Sequence, residues 1–301
     1  MSVDTIERRF LAAIASQRRS HAYLVSCPDF DRAYRLLRRA AGLLCYADAE
    51  RSPDTYADFA QFDGSALSRP DIVRLKRELS MSSYAGKLRV ILITNVHLLN
   101  EMLQNALLKT LEEPPEDTVL LLTGIEANLL PTVRSRCVKV RIPPLCGQEL
   151  RAELWRMGAT EGNISMLERA CQGAPDRAAA MLADADAMEL YARTTSLLCS
   201  ALELRPDFEA ADKLWRDRDS ARTALEFMLV FSRDMLLSRS GAQLDANCDR
   251  MAATLAKRFT LGTISDIIGL LVEASRRLGT NVRPQDTAGW LLTRIVCAAR
   301  R

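Results

Sequence analysis

The sequence contains no run of about 18 consecutive apolar residues, the length that a membrane-spanning helix requires. Its first residues, Met1-Ser2-Val3-Asp4 followed by Glu7-Arg8-Arg9, also lack the apolar stretch of a secretory signal peptide. We therefore expect a protein without a membrane segment and with a cytoplasmic location.

A large excess of one charge is also missing. The 301-residue chain has 41 lysine and arginine residues and 38 aspartate and glutamate residues, so its formal net charge is +3 at pH 7. A free-standing nucleic-acid binder usually carries a strongly basic surface. The near-neutral balance argues against tight DNA binding by the chain alone.

Closely spaced cysteines are absent as well. The chain has eight cysteines and two histidines, but no C-x-x-C pair. A structural zinc site needs four sulfur or imidazole ligands, usually in close pairs, so the sequence predicts no metal site. In a reducing compartment we expect these cysteines to be small buried side chains or inert surface thiols rather than disulfides.

The remaining composition is that of an ordinary globular protein, with 48% hydrophobic and 26% charged residues. A single core rarely grows to this length, so two or three domains are expected. The change of pattern along the chain favours three: an α/β domain over residues 1–144, a small helical domain over 145–187 and a helical bundle over 188–301.

The first of these domains alternates apolar runs with amphipathic helical patterns. Val90–Ile93 and Val119–Leu122 are continuous apolar runs, which are typical of strands buried on both faces of a parallel sheet. Residues 21–25 and the alternation of Val138, Val140 and Ile142 predict two further strands. A polar stretch over 48–69 interrupts the pattern. This rhythm predicts a doubly wound α/β domain.

Polar residues and proline mark where the intervening helices begin. Asp4 with Glu7 predicts a capping box at the first helix. Pro70 predicts the start of another helix, and Asn100 predicts the cap of the helix that Pro114-Pro115 ends.

Two long blocks in this domain resemble the AAA+ subunits of bacterial sliding-clamp loaders. The first block is Asn105-Ala-Leu-Leu-Lys-Thr-Leu-Glu-Glu-Pro-Pro115, and the second is Leu129-Leu-Pro-Thr-Val-Arg-Ser-Arg-Cys137. The resemblance covers residues 1 to about 180. It implies a RecA-like parallel-sheet domain, a small helical lid domain and a C-terminal helical collar.

Active members of this family have a glycine-rich phosphate loop after the first strand, with a lysine for the β/γ-phosphates and a hydroxyl for Mg²⁺. Here that loop falls on Cys27, Pro28, Asp29, Phe30, Asp31, Arg32, Ala33 and Tyr34. No glycine is present, and Ala33 and Tyr34 replace the lysine and the hydroxyl residue. If the alignment with the phosphate loop is shifted by one residue, Arg32 and Ala33 take the positions of the lysine and the hydroxyl residue instead. We therefore expect no nucleotide cofactor in this chain.

The family's acidic motif is also degenerate. The strand Val90–Ile93 should end in Asp-Glu, which hold Mg²⁺ and orient the attacking water. It ends here in Thr94 and Asn95, neither of which ionises. His97 follows directly and is interpreted as a packed or hydrogen-bonded histidine rather than a catalytic one. Arg177 lies where active relatives place a nucleotide-sensing arginine; an ion pair is the expected role.

The motif Ser135-Arg136-Cys137 is intact. In this family it resembles the motif that projects an arginine finger across a subunit interface into the neighbour's ATP site. A guanidinium suits this role because it stays charged and can contact two phosphate oxygens at once. The resemblance thus implies that Arg136, flanked by Ser135 and Cys137, acts in trans; pairing with a nearby carboxylate is the plainer interpretation.

Together these features favour a non-ATPase clamp-loader subunit that resembles the delta-prime subunits of bacterial DNA polymerase III. The resemblance implies a hetero-pentamer with clamp-loader ATPase subunits and a delta-type subunit, which reaches the sliding clamp and primer-template DNA through the complex. Two alternatives stay open: an active clamp-loader ATPase, and a stand-alone DNA-binding or adaptor protein on a degenerate AAA+ fold.

Overall fold

The computed structural model describes residues 3–81, 83, 88–183, 185–241 and 250–300. The chain divides into two compact units, Met1–Leu145 and Cys146–Arg301. The finer division of the second unit into domains over 145–187 and 188–301 stays a prediction. No helix in the described ranges is long and apolar enough to cross a membrane.

The first unit contains a parallel sheet. In its described part the strands are β1 (Ala22–Ser26), β2 (Phe59–Asp63), β3 (Arg89–Thr94), β4 (Thr118–Thr123) and β5 (Val138–Arg141). They lie in the order β2-β3-β4-β1-β5, and every neighbouring pair is parallel. Because the strand order departs from the chain order at β1, the carboxyl ends of β1 and β4 flank a crevice of the kind where doubly wound sheets bind ligands.

Helices cover both faces of the sheet. They are α1 (Val3–Ala15), α2 (Phe30–Tyr46), α3 (Arg69–Ser80), α4 (Glu101–Glu112) and α5 (Pro131–Ser135). Alternate residues of β1 show the two faces: Tyr23 and Val25 pack with α1 and α2, whereas Ala22 and Leu24 pack with α3 and α4. β3 and β4 divide their apolar side chains in the same way, which confirms the prediction of strands buried on both faces.

The edges of the sheet differ from the sequence expectation. β2 lies inside the stretch 48–69, for which no strand was predicted. It is a short strand in which Ala60 and Phe62 are buried while Gln61 and Asp63 are polar, so it has no continuous apolar run. β5 is a strand as predicted, but Val138 is 46% exposed because β5 lies at the other edge.

Two predicted helix starts are confirmed. The side chain of Asn100 accepts a hydrogen bond from the Leu103 backbone N–H at 3.0 Å and so caps α4. Pro70 lies in the first turn of α3, where the lack of an N–H costs nothing. Ser68 and Asp71 form a capping box around it.

The capping box predicted for Asp4 and Glu7 is wrong. α1 already includes Val3, so Asp4 lies in its first turn and is not the cap. Both carboxylates instead bind Arg32 on α2. A charge-assisted hydrogen bond to a distant arginine has replaced the local cap.

The described part of the second unit contains helices joined by turns and loops, and no strand. Its helices are α6 (Gly147–Arg156), α7 (Ile164–Ala170), α8 (Pro175–Ala183), α9 (Ala185–Leu202), α10 (Phe208–Leu214), α11 (Arg218–Ser240), α12 (Arg250–Ala256), α13 (Leu261–Leu278) and α14 (Pro284–Ala299). Helices α6, α7 and α8 pack on one another. Helices α9 to α14 share one apolar core, in which Trp215 is 1% exposed.

Candidate functional site

The intact motif lies at a corner of the first unit, where the end of α4 meets α5. We call this the α4–α5 corner and define it by Glu112, Thr132, Ser135 and Arg136. Arg136 directly follows α5 and has a side chain that is 34% exposed. Its Nη1 donates to the Thr132 carbonyl at 2.9 Å, and its Nη2 lies 2.6 Å from Oε1 of Glu112, the last residue of α4.

The three residues of the motif have different surroundings. Ser135 is exposed and its hydroxyl donates to the Thr132 carbonyl at 3.0 Å, which satisfies one of the last helical carbonyls of α5. Cys137 is buried in the core that α3 and α4 form on the sheet. Burial raises the pKa of its thiol to about 11, so Cys137 stays a neutral packing residue at neutral pH. Of the three residues, only Arg136 presents a charged group at the surface.

A buried glutamine joins α4 to the loop before α5. The Gln104 side chain accepts a hydrogen bond from the Leu130 backbone N–H at 2.9 Å and donates one to the Leu99 carbonyl at 3.0 Å. The pair of Glu112 and Arg136 links the two sequence blocks of residues 105–115 and 129–137 directly, and Gln104, which immediately precedes the first block, adds a second contact to the second block. Their joint presence therefore has a physical basis.

The crevice at the carboxyl end of β1 is closed by its own chain. Only Cys27, Pro28 and Asp29 separate β1 from α2. A phosphate loop needs a longer glycine-rich segment whose backbone N–H groups converge on the ligand. Pro28 has no N–H to offer. The connection is thus too short and has too few donors to wrap a polyphosphate.

The amino end of α2 already holds an anion, because Asp29 is its N-cap. The buried Asp29 carboxylate accepts the Arg32 backbone N–H at 2.7 Å. This carboxylate occupies the position at a helix N-terminus that would otherwise attract a phosphate. Asp31 adds a second negative charge in the first turn. An incoming triphosphate would meet like charge here.

Arg32, which takes the position of the phosphate-binding lysine when the alignment is shifted by one residue, is neutralised by carboxylates of this chain. Its Nε lies 2.5 Å from Glu7 and its Nη2 lies 3.2 Å from Asp4, both on α1. Burial is the largest single influence and opposes the charged form, but the hydrogen bond to Glu7 and the charges of Glu7 and Asp4 together outweigh it and raise the pKa of Arg32 above its usual value. Two carboxylates thus already bind the guanidinium.

The other loop residues are packing residues. Ala33 is fully buried against the sheet, so the position aligned with the lysine points into the core. Gln61 on β2 donates to the Tyr34 hydroxyl at 3.2 Å. Phe30 stacks on His97 with the ring centroids 5.9 Å apart. Burial lowers the pKa of His97, so it is neutral and packed.

The degenerate acidic motif is tied to the edge strand. Asn95 has a left-handed φ of 50° and donates from Nδ2 to Asp63 at 3.0 Å, while Thr94 donates to the Phe62 carbonyl at 3.4 Å. Burial acts to raise the pKa of Asp63, but hydrogen bonds from Asn95, Ser65 and Thr94 outweigh it and hold that pKa below its usual range. Neither Thr94 nor Asn95 supplies a charge for a metal.

Sequence reasoning gave no role to several of these residues. Asp29 was named only as part of the degenerate phosphate loop, although aspartate is one of the preferred N-cap residues, whose side chain accepts a backbone N–H from the first turn of the helix. Glu112 was quoted within its block without a function. No local pattern pairs it with Arg136, which lies 24 residues later; the only signal is an acidic residue at a helix C-terminus.

Other features of the described residues add no further site. No group of three or more His, Cys, Asp and Glu in that part of the chain could hold a metal ion. Arg177 is exposed in the first turn of α8, where its backbone N–H is bound by the Asp176 carboxylate at 2.8 Å.

Known proteins resemble the part of the chain that contains the crevice after β1 and the α4–α5 corner. Residues 3–146 match the protein family described as DNA polymerase III, delta subunit. The chain is 32% identical over 142 residues to DNA polymerase III subunit delta' of Pseudomonas aeruginosa. This alignment covers 41% of this chain and 43% of that protein. The chain is also 23% identical over 287 residues to DNA polymerase III subunit tau of Bacillus subtilis. That alignment covers 82% of this chain and 51% of the relative.

The chain therefore spans about half the length of these curated relatives. A solved structure of a DNA polymerase III gamma subunit-related protein from Thermotoga maritima aligns over all of both chains, at 18% identity and a TM-score of 0.48. The parallel α/β architecture of the first unit agrees with the fold class predicted from the sequence. The matched residues 3–146, which contain both the crevice and the α4–α5 corner, are thus similar to the DNA polymerase III delta subunit family.

Proposed function

We propose that this protein is a non-ATPase, delta-prime-type subunit of the DNA polymerase III clamp loader. It supplies Arg136 in trans to the ATP site of a neighbouring subunit during DNA replication. The partners are clamp-loader ATPase subunits and a delta-type subunit in a hetero-pentamer, which acts on the sliding clamp and primer-template DNA. This role implies a cytoplasmic location.

The observation that carries most weight is Asp29 at the amino end of α2. An internal carboxylate already accepts the N–H group that a bound phosphate would need. Arg32 is neutralised by Glu7 and Asp4, so its charge is not available to a nucleotide. This supports a subunit that does not hydrolyse ATP itself.

The α4–α5 corner supports the action in trans. A guanidinium has five N–H donors. Within the described residues, the Arg136 guanidinium shows one hydrogen bond, to Thr132, beside its ion pair with Glu112. The remaining donors can meet phosphate oxygens of a neighbouring subunit, where a planar guanidinium stabilises the charge that develops in phosphoryl transfer.

The test is Arg136→Ala in a loader reassembled from purified subunits, with single-turnover ATP hydrolysis measured in the presence of clamp and primer-template DNA. Loss of an arginine finger lowers the rate at the affected site by about 10³-fold or more in well-studied NTPases. Arg136→Lys should restore little, because an ammonium lacks the planar fork.

The matched control is Arg141→Ala, which removes an equally charged side chain that is 71% exposed and pairs with Glu126 on the same domain. Its loader should hydrolyse ATP at the wild-type rate. If the Arg136→Ala loader, shown to be fully assembled by gel filtration, also keeps the wild-type rate at every site, the proposed function is wrong.

A further inference from the structure

The side chain of Arg136 is held by an acidic residue of the preceding helix. Oε1 of Glu112 lies 2.6 Å from Nη2, and the Thr132 carbonyl accepts a hydrogen bond from Nη1 at 2.9 Å. The Glu112 side chain is 50% exposed. An ion pair with this exposure adds little to stability, because water screens it and two long side chains must be ordered. Its consequence is instead the orientation of the guanidinium.

The end of α4 is well placed to provide a rigid anchor. His21 donates from Nε2 to the Leu111 carbonyl at 3.1 Å, and the buried Thr110 hydroxyl donates to the Leu79 carbonyl at 3.0 Å. The last turn of α4 is thus fixed to α3 and to the residue that precedes β1, immediately before Glu112. A carboxylate on such a turn holds its partner in one direction, which a carboxylate on a mobile loop would not do.

Helix stability does not account for an acidic residue at this position. The C-terminus of a helix carries partial negative charge, so Glu112 and the next residue, Glu113, both lie where a carboxylate is unfavourable. Glu112 compensates by binding Arg136. No cation of the described residues lies within ion-pair distance of Glu113. A locally unfavourable residue with a specific partner points to a functional constraint.

We infer that Glu112 is a positioning residue for Arg136: it orients the guanidinium so that the finger enters the neighbour's ATP site already aligned. This inference rests on the proposed function. Because the finger acts when charge develops on the transferred phosphoryl group, poor orientation slows hydrolysis without weakening the binding of ATP.

The pair of adjacent glutamates allows a closely matched test. Glu112→Ala and Glu113→Ala each remove one carboxylate from the end of α4, so they relieve the same helix-dipole conflict and should change the thermal unfolding temperature equally. In the reassembled loader, Glu112→Ala should lower the single-turnover rate at the affected site by about 10-fold, since small misplacements of catalytic groups cost up to about 10²-fold. The KM for ATP should stay unchanged. Glu113→Ala should hydrolyse ATP as wild type does.

Two further variants separate the possible outcomes. Glu112→Gln, which keeps the shape and an acceptor oxygen, should recover part of the rate, and Glu112→Ala should cause no further loss in an Arg136→Ala background. If Arg136→Ala slows hydrolysis but Glu112→Ala and Glu113→Ala behave alike, the inference fails and the proposed function stands. If Arg136→Ala has no effect, both fail. An additional loss in the double variant would also overturn the inference, because Glu112 would then act elsewhere.

Discussion

Two arginines of the same domain, Arg32 and Arg136, show how their surroundings decide what a cation can do. Arg32 follows the closed crevice, has a side chain 21% exposed and is bound by both Glu7 and Asp4. Arg136 lies at the α4–α5 corner, is 34% exposed and has one carboxylate partner, Glu112. Arg32 stabilises its own domain, whereas the proposed function requires the remaining donors of Arg136 to reach another molecule.

The same contrast extends to the carboxylates. In the crevice, Asp29 and Asp31 surround the amino end of a helix, where they stabilise α2 and exclude an anionic ligand. At the corner, Glu112 lies at the carboxyl end of a helix, where it opposes the helix dipole and orients a cation. The carboxylates of the crevice are thus favourable for their helix, whereas Glu112 is unfavourable for its helix.

Replacing each of the two arginines with alanine should give the largest effects. One variant should lose stability and keep ATP hydrolysis, and the other should keep stability and lose hydrolysis. Arg32→Ala leaves Glu7 largely buried without its partner and should lower the free energy of unfolding by about 2 kcal/mol, with normal ATP hydrolysis in the assembled loader. Arg136→Ala should change stability by less than about 0.5 kcal/mol while it slows hydrolysis. Urea unfolding and single-turnover kinetics measure the two properties; parallel changes in both variants would remove the distinction.

The helix cap provides the next largest effect. Asp29→Ala removes the N-cap of α2 and should cost about 1 kcal/mol of stability in urea unfolding. Asp29→Asn, which still accepts the N–H, should recover most of it. Neither variant should bind ATP and Mg²⁺ in isothermal titration, because the short connection and the buried Ala33 remain. Micromolar binding by Asp29→Asn would mean that charge alone had closed the crevice.

A smaller, pH-dependent effect is expected at Asn95. Asn95→Gly removes the hydrogen bond to Asp63 and still allows the positive φ. Because the folded pKa of Asp63 is lowered, the stability from this bond is complete above the unfolded pKa of about 3.9 and is lost as the pH falls through the folded pKa. Asp63 is exposed, so the difference between the two proteins should be below about 1 kcal/mol at pH 7.

This difference should be constant from about pH 5 to 7 and shrink towards about pH 3. A difference that is equal at all these pH values would show that the Asp63 charge is not involved, and that Asn95 acts only through its backbone conformation.

The smallest expected effect concerns thiol reactivity and leaves stability unchanged. With its pKa raised to about 11, only about 1 in 10³ molecules has an ionised Cys137 at pH 8. Iodoacetamide should therefore label the exposed Cys146 well before Cys137 in the folded protein. Unfolding in urea should abolish the difference. Mass spectrometry of the peptides follows both sites, and early labelling of Cys137 would contradict its packing in the core.

The sequence predicted the elements whose signal is local. The apolar runs of β3 and β4 and the cap at Asn100 depend on neighbouring residues, and the structure confirms them. β2 was missed because an edge strand buries only Ala60 and Phe62 and therefore has no apolar run to detect. Short edge strands carry little of the periodicity on which such predictions depend.

Contacts between distant residues could not be predicted in the same way. Asp4 and Glu7 have the spacing of a capping box, but Arg32, 25 and 28 residues away, binds them instead. Glu112 and Arg136 meet only because α4 and α5 pack at one corner. A charged side chain has several possible partners along the sequence, and the packing of distant elements determines which of them lies within contact distance.

The central claim is that this chain serves a nucleotide that it does not itself bind. Photo-cross-linking of the assembled loader with an ATP analogue that is photoreactive at its γ-phosphate tests this claim most directly. We expect labelling of the neighbouring subunit and of the peptide that contains Arg136, with no label on residues 27–34 in the loader or in the isolated chain. Labelling of residues 27–34, with none near Arg136, would contradict the account.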